Sequence, residues 1–255
     1  MLVLPLSPGA RAVFTTRSGG VSIAPYGDTD GGGGLNLGGH VGDTAAAVEE
    51  NRRRLSSTLS ATLKWMDQVH GDEVRVLEAP SGHSSVGVVD GLVLGPRMPA
   101  HAPGVLVADC VPVLLASESG TYRGAVHVGR AGLFRGILPR AVETVAGLSG
   151  EPVHVVTGPH ICGACYEVSE ELASQAEPLG AGAATRWGTP SINLLAGIRR
   201  QLAGVFLLEA GVCTLEDDRF FSYRRDGVTG RCAGITLGGA SDTPMDLPGA
   251  QSSRR

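Results

Sequence analysis

Apolar positions in this chain fall mostly into short runs broken by turn residues: "VRVLEA", "VGVVDGLVLG", "GVLVADCVPVLLAS", "YRGAVHVG" and "EPVHVVTGP", all between positions 64 and 159. Val-, Leu- and Ile-rich runs bounded by Gly, Pro, Asp and Ser predict strands. "RAVFTTR" at 11–17 predicts another, and a further β-like stretch runs through "FFSYRRDGVTGRCAGITLGG". Helical spacing is rarer. Behind Asp43 or Thr44, both good N-caps, Ala45, Val48, Leu55 and Leu59 recur on one face, with Glu49, Glu50 and three arginines on the other. Leu133, Ile137, Leu138, Ala141, Val142 and Val145 make a second stripe; Pro139 lies inside it, so that helix is expected to begin or kink there. Two more helices are expected over 169–177 and 191–203.

Strands and helices do not alternate regularly, which predicts one α+β domain over 1–239, with an antiparallel or mixed sheet flanked by helices, instead of a doubly wound fold. The Gly-rich stretch "SGGVSIAPYGDTDGGGGLNLGGHVGD" reads as one long loop, and a loop of that length is usually functional or mobile. It lacks the G-x-G-x-x-G spacing of a dinucleotide fingerprint, and no Walker A signature is present. The tail, 240–255, has the Ser, Pro and Asp content of disorder.

Composition narrows the function classes. The chain has 255 residues, with 21 basic against 25 acidic and a net charge of −4, so nothing suggests a nucleic-acid or anionic-membrane surface. An aromatic fraction of 4% offers no stacking platform for single strands either. No apolar run approaches the roughly 18 residues of a spanning helix, and the N-terminal stretch lacks the signature of a signal peptide, so a cytoplasmic location is expected. Five cysteines, an odd number, argue against a disulfide framework and for a reducing compartment.

The chemistry then rests on single residues. Asp109 and Cys110 interrupt "VLVADCVPVLLA", while His70 in "DQVHGDEV" and His127 in "GAVHVGRAG" each stand at the end of an apolar run. Separations of 40 and 17 positions mean that only adjacent strand ends could bring His70, Cys110 and His127 together. Two imidazoles and a thiolate with an open fourth position make a catalytic zinc site. The same residues also support a metal-free reading, with Cys110 as nucleophile, one histidine as base and Asp109 or the second histidine orienting it. Taken singly, Cys110 reads as a small buried hydrophobe and His127 as a satisfied core histidine. A second cluster, "GPHICGACYEV", offers His160, Cys162 and Cys165; its C-x-x-C suggests a metal or redox pair in a thioredoxin-like setting, at a helix start after a strand. Cys213 and Cys232 have no usable spacing.

Taken in order, "FTTRSGGVS", "LNLGGHVGD", "VEENRRRL", "DQVHGDEV", "VADCVPVLL", "AVHVGRAG", "GPHICGACYEV" and "CTLEDDRFFSYRRDGVTGR" resemble the YfiH-like family, also called the laccase-domain or multicopper polyphenol oxidoreductase family, from about residue 11 to residue 237. The resemblance implies a single α+β domain in which His70, Cys110 and His127 bind Zn2+ in a surface pocket and serve catalysis. It implies phosphorolysis of adenosine, inosine, guanosine and methylthioadenosine, and deamination of adenosine, so a purine nucleoside and phosphate are the expected partners of a monomer. Asn36 of "LNLG" and Arg52 of "ENR" match motif positions expected to reach the substrate. Arg17, Arg52 and Arg130 are candidate phosphate clamps, and Asp109 is a candidate proton shuttle or a support beside the thiolate.

The chain departs from the family at two places. The usual His-Ala-Gly-Trp-Arg-Gly is "HVGRAG" here, with Arg130 and Ala131 in place of the Trp-Arg pair, and the usual "GPCIG" is "GPHIC". The laccase label also sits poorly with the residues: a multicopper oxidase holds its copper cluster largely with His-x-His pairs, and this chain has seven histidines and no such pair. Copper can still enter a His2Cys site, because Cu2+ outcompetes Zn2+ for nitrogen and sulfur ligands. Two alternative functions therefore stand beside the nucleoside reading: a hydrolase that removes serine from a UDP-muramoyl-serine precursor, and a copper-dependent polyphenol oxidoreductase.

Overall fold

The protein is described by a computed structural model covering residues 1–239; the expected tail at 240–255 lies outside the described residues. Strands β1 (Leu2–Ser7), β2 (Ala10–Phe14) and β3 (Ser18–Ser22) precede helix α1 (Ala45–Leu59). Then come β4 (Thr62–Asp67), β5 (Val74–Leu77), β6 (Ser85–Val88), β7 (Gly91–Leu94), β8 (His101–Val107), β9 (Val111–Ser117) and β10 (Arg123–Val128). The remaining elements are α2 (Arg130–Arg135), α3 (Ile137–Ser149), β11 (Val153–Thr157), α4 (Glu170–Ala176), β12 (Gly182–Ala184), β13 (Pro190–Ile192), α5 (Leu194–Gln201), β14 (Phe206–Glu209), α6 (Tyr223–Asp226) and β15 (Cys232–Gly238).

The fold is α+β, with two mixed six-stranded sheets where the sequence suggested one. The first runs β1-β2-β15-β8-β4-β6 and the second β14-β11-β9-β10-β7-β5. Alternation along β9 shows how they stack: Val113 and Leu115 join the cluster that includes Leu133, Ile137, Leu138, Ala141 and Val145 of α2 and α3, while Leu114 and Ala116 face Phe14 and Val105 of the other sheet. On the far side of the first sheet, Leu55 and Leu59 of α1 cover Val13, Trp65 and Ile235. Two-residue periodicity thus serves a core on both faces of each sheet.

The long apolar runs are each two strands in different sheets. "VGVVDGLVLG" breaks at Asp90 between β6 and β7, and "GVLVADCVPVLLAS" breaks at 108–110 between β8 and β9. His70 lies in the matching crossing from β4 to β5. The polar interruptions therefore mark the places where the chain leaves one sheet for the other.

Helix α1 starts behind Thr44, whose hydroxyl accepts from the Ala47 N–H, and its buried stripe is Val48, Asn51, Leu55 and Leu59, with Asn51 in place of the expected Ala45. The stripe containing Pro139 is split at Gly136 (φ 72°) into α2 and α3; the proline falls in the first turn of α3, where its missing N–H has no helical partner to lose. The expected helices at 169–177 and 191–203 are α4 and the shorter α5, which Asn193 caps after β13. Of "FFSYRRDGVTGRCAGITLGG" only 232–238 is strand, since Ser222 caps the helical turn α6 instead.

Candidate active site

His70, Cys110 and His127 meet at the rim where the sheets exchange chain, with one ligand atom from each lying within 4.8 Å of the others. His127, next to last in β10, pairs with Pro112 of β9, which sets its distance from Cys110 two positions before that proline. His70 and Asp109 both have positive φ, 59° and 94°, a conformation that non-glycine residues rarely adopt; both flank the site, where such strain is commonly found. His70 Nε2 lies 3.7 Å from Cys110 Sγ. Gly129 packs so closely that a Cβ there would lie 2.9 Å from His70 Cδ2 and 3.0 Å from Cys110 Sγ.

Asp90, which the sequence reading passed over, organises the cluster. Fully buried at the head of β7, it accepts a hydrogen bond from His127 Nδ1–H at 2.7 Å and from the backbone N–H groups of Val69, His70 and Gly71 at 3.1, 2.9 and 2.7 Å. One carboxylate thus fixes the tautomer of one imidazole, turning its Nε2 toward the cluster, and the backbone of the other. Burial works to raise the Asp90 carboxyl, but the hydrogen bonds from His127, Gly71 and Val69 outweigh it and hold the group below its ordinary range. The signal was present in sequence: a lone aspartate inside an apolar run.

Protonation follows the same geometry. Burial would raise the Cys110 thiol, but the charge of His127 and hydrogen bonds from both histidines bring it down to about 6. Burial would lower His127, but the Cys110 thiolate and Asp90 raise it to about 9. Metal-free, the pair is a thiolate beside an imidazolium.

A pocket of about 410 Å³ opens over the cluster, lined also by His40, Gln68, Tyr166, Tyr223, Arg224 and Arg231. That volume suits a small organic ligand. Arg224 and Arg231 come from the "SYRRDGVTGR" stretch, and Arg224 lies over the Tyr166 ring at 5.3 Å. The other arginines do different work. Arg17 donates to the Gly27 carbonyl and covers Phe221; Arg52 donates to the Leu37 carbonyl and covers Trp65; Arg130 lies over the Phe134 ring at 5.8 Å. Asn36 is fully buried: its oxygen accepts from the Gly38 and Arg231 N–H groups and its amide donates to Asp43, so it holds the backbone of a lining residue. Asp109 is occupied by Thr214 Oγ1 and the Arg224 N–H, each at 2.7 Å. The orienting role expected of it falls to Asp90.

The second cysteine cluster differs from its sequence reading. Cys162 and Cys165 lie on a turn, with α4 beginning only at Glu170, so the thioredoxin-like setting is absent; Cys213, expected to stand alone, joins them. His160 points elsewhere, with its Nδ1 bonded to the Gly158 carbonyl at 2.8 Å.

Residues 11–237 match the family described as multi-copper polyphenol oxidoreductase laccase. A Streptomyces griseus protein named purine nucleoside phosphorylase ORF3 is 44% identical over 242 residues, covering 90% of this chain and 95% of its own. Purine nucleoside phosphorylase SCO2081 of Streptomyces coelicolor is 45% identical over 237 residues, with 89% and 94% covered. Among solved structures, Neisseria meningitidis protein NMB0706 superposes with a TM-score of 0.79 at 28% identity, over 94% of this chain and 99% of that one. The Bacillus licheniformis hypothetical protein YfiH gives 0.77 at 26%, over 92% and 98%. With the family matched across nearly the whole chain and relatives this similar, the protein belongs to the multi-copper polyphenol oxidoreductase laccase family, the YfiH-like proteins.

Proposed function

We propose that the chain is a purine nucleoside phosphorylase whose His70, Cys110 and His127 hold a zinc ion. The observation that carries this reading is the convergence of two imidazoles and a low-pKa thiol at the floor of a pocket with two arginines in its wall. The donor set fits zinc: with Zn–S near 2.3 Å and Zn–N near 2.0–2.1 Å, tetrahedral ligands stand about 3.6 Å apart, and the His70–Cys110 separation is 3.7 Å. A copper cluster fits poorly. Among the described residues the other group of metal-ligand side chains is Cys162, Cys165, Cys213 and Glu216, which contains no histidine.

In phosphorolysis a phosphate oxygen bonds to C1′ of the ribose while the bond from C1′ to the purine nitrogen breaks, and the departing base takes up a proton. We assign the phosphate to Arg224 and Arg231, because these are the arginines that line the pocket, although each also donates to backbone carbonyls, of Glu167 and of Thr229 and Gly230. Tyr166 and Tyr223 give the pocket wall aromatic surface for the base. His40 is kept neutral by burial and by the charges of Arg231 and Arg52, so it meets the substrate as a hydrogen-bonding imidazole and adds no further cation. The chemistry that zinc supplies when bound is Lewis acidity toward a substrate oxygen. Names of relatives support phosphorolysis; a three-ligand centre open to a pocket supports adenosine deamination as the second reading.

One experiment separates them. Purified protein is incubated with adenosine with and without phosphate, and the products are resolved by chromatography. Phosphate-dependent adenine and ribose 1-phosphate are expected, falling at least about 100-fold in Cys110→Ala, in line with loss of a group that acts in the transition state. Inosine and ammonia made without phosphate would select deamination, and full turnover by Cys110→Ala would overturn the assignment of the site.

A further inference from the structure

Cys162, Cys165, Cys213 and Glu216 come from two loops, yet one ligand atom from each lies within 4.8 Å of the rest. The loops are pinned side by side by backbone pairing. His160 bridges Cys213, the His160 N–H donates to the Val212 carbonyl at 3.1 Å, and the Thr214 N–H donates to the His160 carbonyl at 3.0 Å. Two of the sulfurs are met by donors. Cys213 Sγ accepts from the Cys162 N–H at 3.4 Å, and Cys165 Sγ accepts from the Arg186 guanidinium. Cysteines that only fill space do not need N–H groups aimed at their sulfur. Burial raises all three thiols, so the thiolates that bind metal form as the ion displaces their protons. The three cysteines are free. A disulfide would use two of the sulfurs and strand the third, whereas three thiolates and a carboxylate make the four donors of a tetrahedral ion.

We propose that Cys162, Cys165 and Cys213, completed by Glu216, form a second and structural site for a soft divalent cation of the zinc class, separate from the His70–Cys110–His127 cluster. Binding releases the thiol protons to solvent and frees Glu216 from Arg186, which in the present arrangement bonds both Glu216 and Cys165 Sγ. The guanidinium then offsets part of the negative charge that three thiolates and a carboxylate leave over a divalent ion. Such an ion staples two loops that both grip the residue before Cys110: the Ile161 N–H donates to the Asp109 carbonyl at 2.9 Å, and Thr214 Oγ1 donates to the Asp109 carboxylate. The same stretch supplies Ile161 and Tyr166 to the pocket wall.

The test strips the purified protein of metal with a chelator under reducing conditions, reloads it with Co2+ alone, and reads bound cobalt by elemental analysis and thiolate-to-cobalt absorption. Cys110→Ala, which lacks the thiolate of the first site, is expected to bind one Co2+ with that absorption. Cys110→Ala combined with Cys213→Ser is expected to lose it, and Cys110→Ala combined with Cys213→Asp, which keeps a donor, to regain the metal with weaker thiolate absorption. Circular dichroism shows that each variant is folded. A folded Cys110→Ala protein that binds no cobalt overturns the proposal, as does a Cys213→Ser combination that binds as much as Cys110→Ala alone. A Cys162–Cys213 disulfide that forms and persists while metal is present would also overturn it.

Discussion

At the scale of single residues, one buried carboxylate governs the site. Asp90 ties the His127 ring and the backbone at His70 to the same point, so the arrangement of the cluster does not depend on an ion. Its influence should be visible in the chelated protein. The Cys110 thiol is lowered to about 6 while Cys162, Cys165 and Cys213 are raised and Cys232 reaches about 11, so Cys110 is expected to be alkylated first. A lowered pKa means that the thiolate is lost as pH falls; the alkylation rate at Cys110, followed by mass spectrometry, should rise as pH climbs through about 6 and level off above it. Asp90→Asn removes the charge that keeps His127 protonated and should move that midpoint upward. Gly129→Ala tests the packing: its Cβ would press on His70 and Cys110 at 2.9 and 3.0 Å, and the bound metal measured per chain should fall while circular dichroism is unchanged.

At the scale of elements, the crossings between sheets do the assembling. β4, β6 and β8 belong to one sheet and β5, β7 and β9 to the other, and the three crossings carry His70, Asp90 and Cys110. A crossing strains the backbone and ends an apolar run, which is why polar residues with unusual φ collect there. Helix α1 acts on the Gly-rich loop in a similar way. Asn51 Oδ1 accepts from the Val21 N–H, and its amide donates to Ser22 Oγ and to the carbonyls of Gly34 and Asn36, the residue that in turn holds Arg231. Asn51→Ala leaves these buried groups unpaired and should cost on the order of 3 kcal/mol, read as a lower urea midpoint.

At the scale of the whole molecule, the two sheets share one buried layer. Phe14 is 1% exposed and packs so close to Gly158 that a Cβ there would lie 2.2 Å from its ring. Phe14→Ala should cost about 3–5 kcal/mol and lower both sheets in a single transition, followed by tryptophan fluorescence and circular dichroism together. Among the described residues no helix is long and apolar enough to cross a membrane. The sequence by itself determined the strand-rich α+β character, helix α1 with its Thr44 cap, and the three short motifs whose His70, Cys110 and His127 meet in space. These are local signals, carried by periodicity, capping and residue type over a few positions. That the apolar runs divide between two facing sheets, that Asp90 and not Asp109 holds an imidazole, that Arg224 and Arg231 and not Arg17 or Arg52 wall the pocket, and that Cys213 joins Cys162 were decided only by tertiary structure. Each depends on strand register and on which loops lie side by side. Partners 51 positions apart, as Cys162 and Cys213 are, have no shared period by which one chain could announce them.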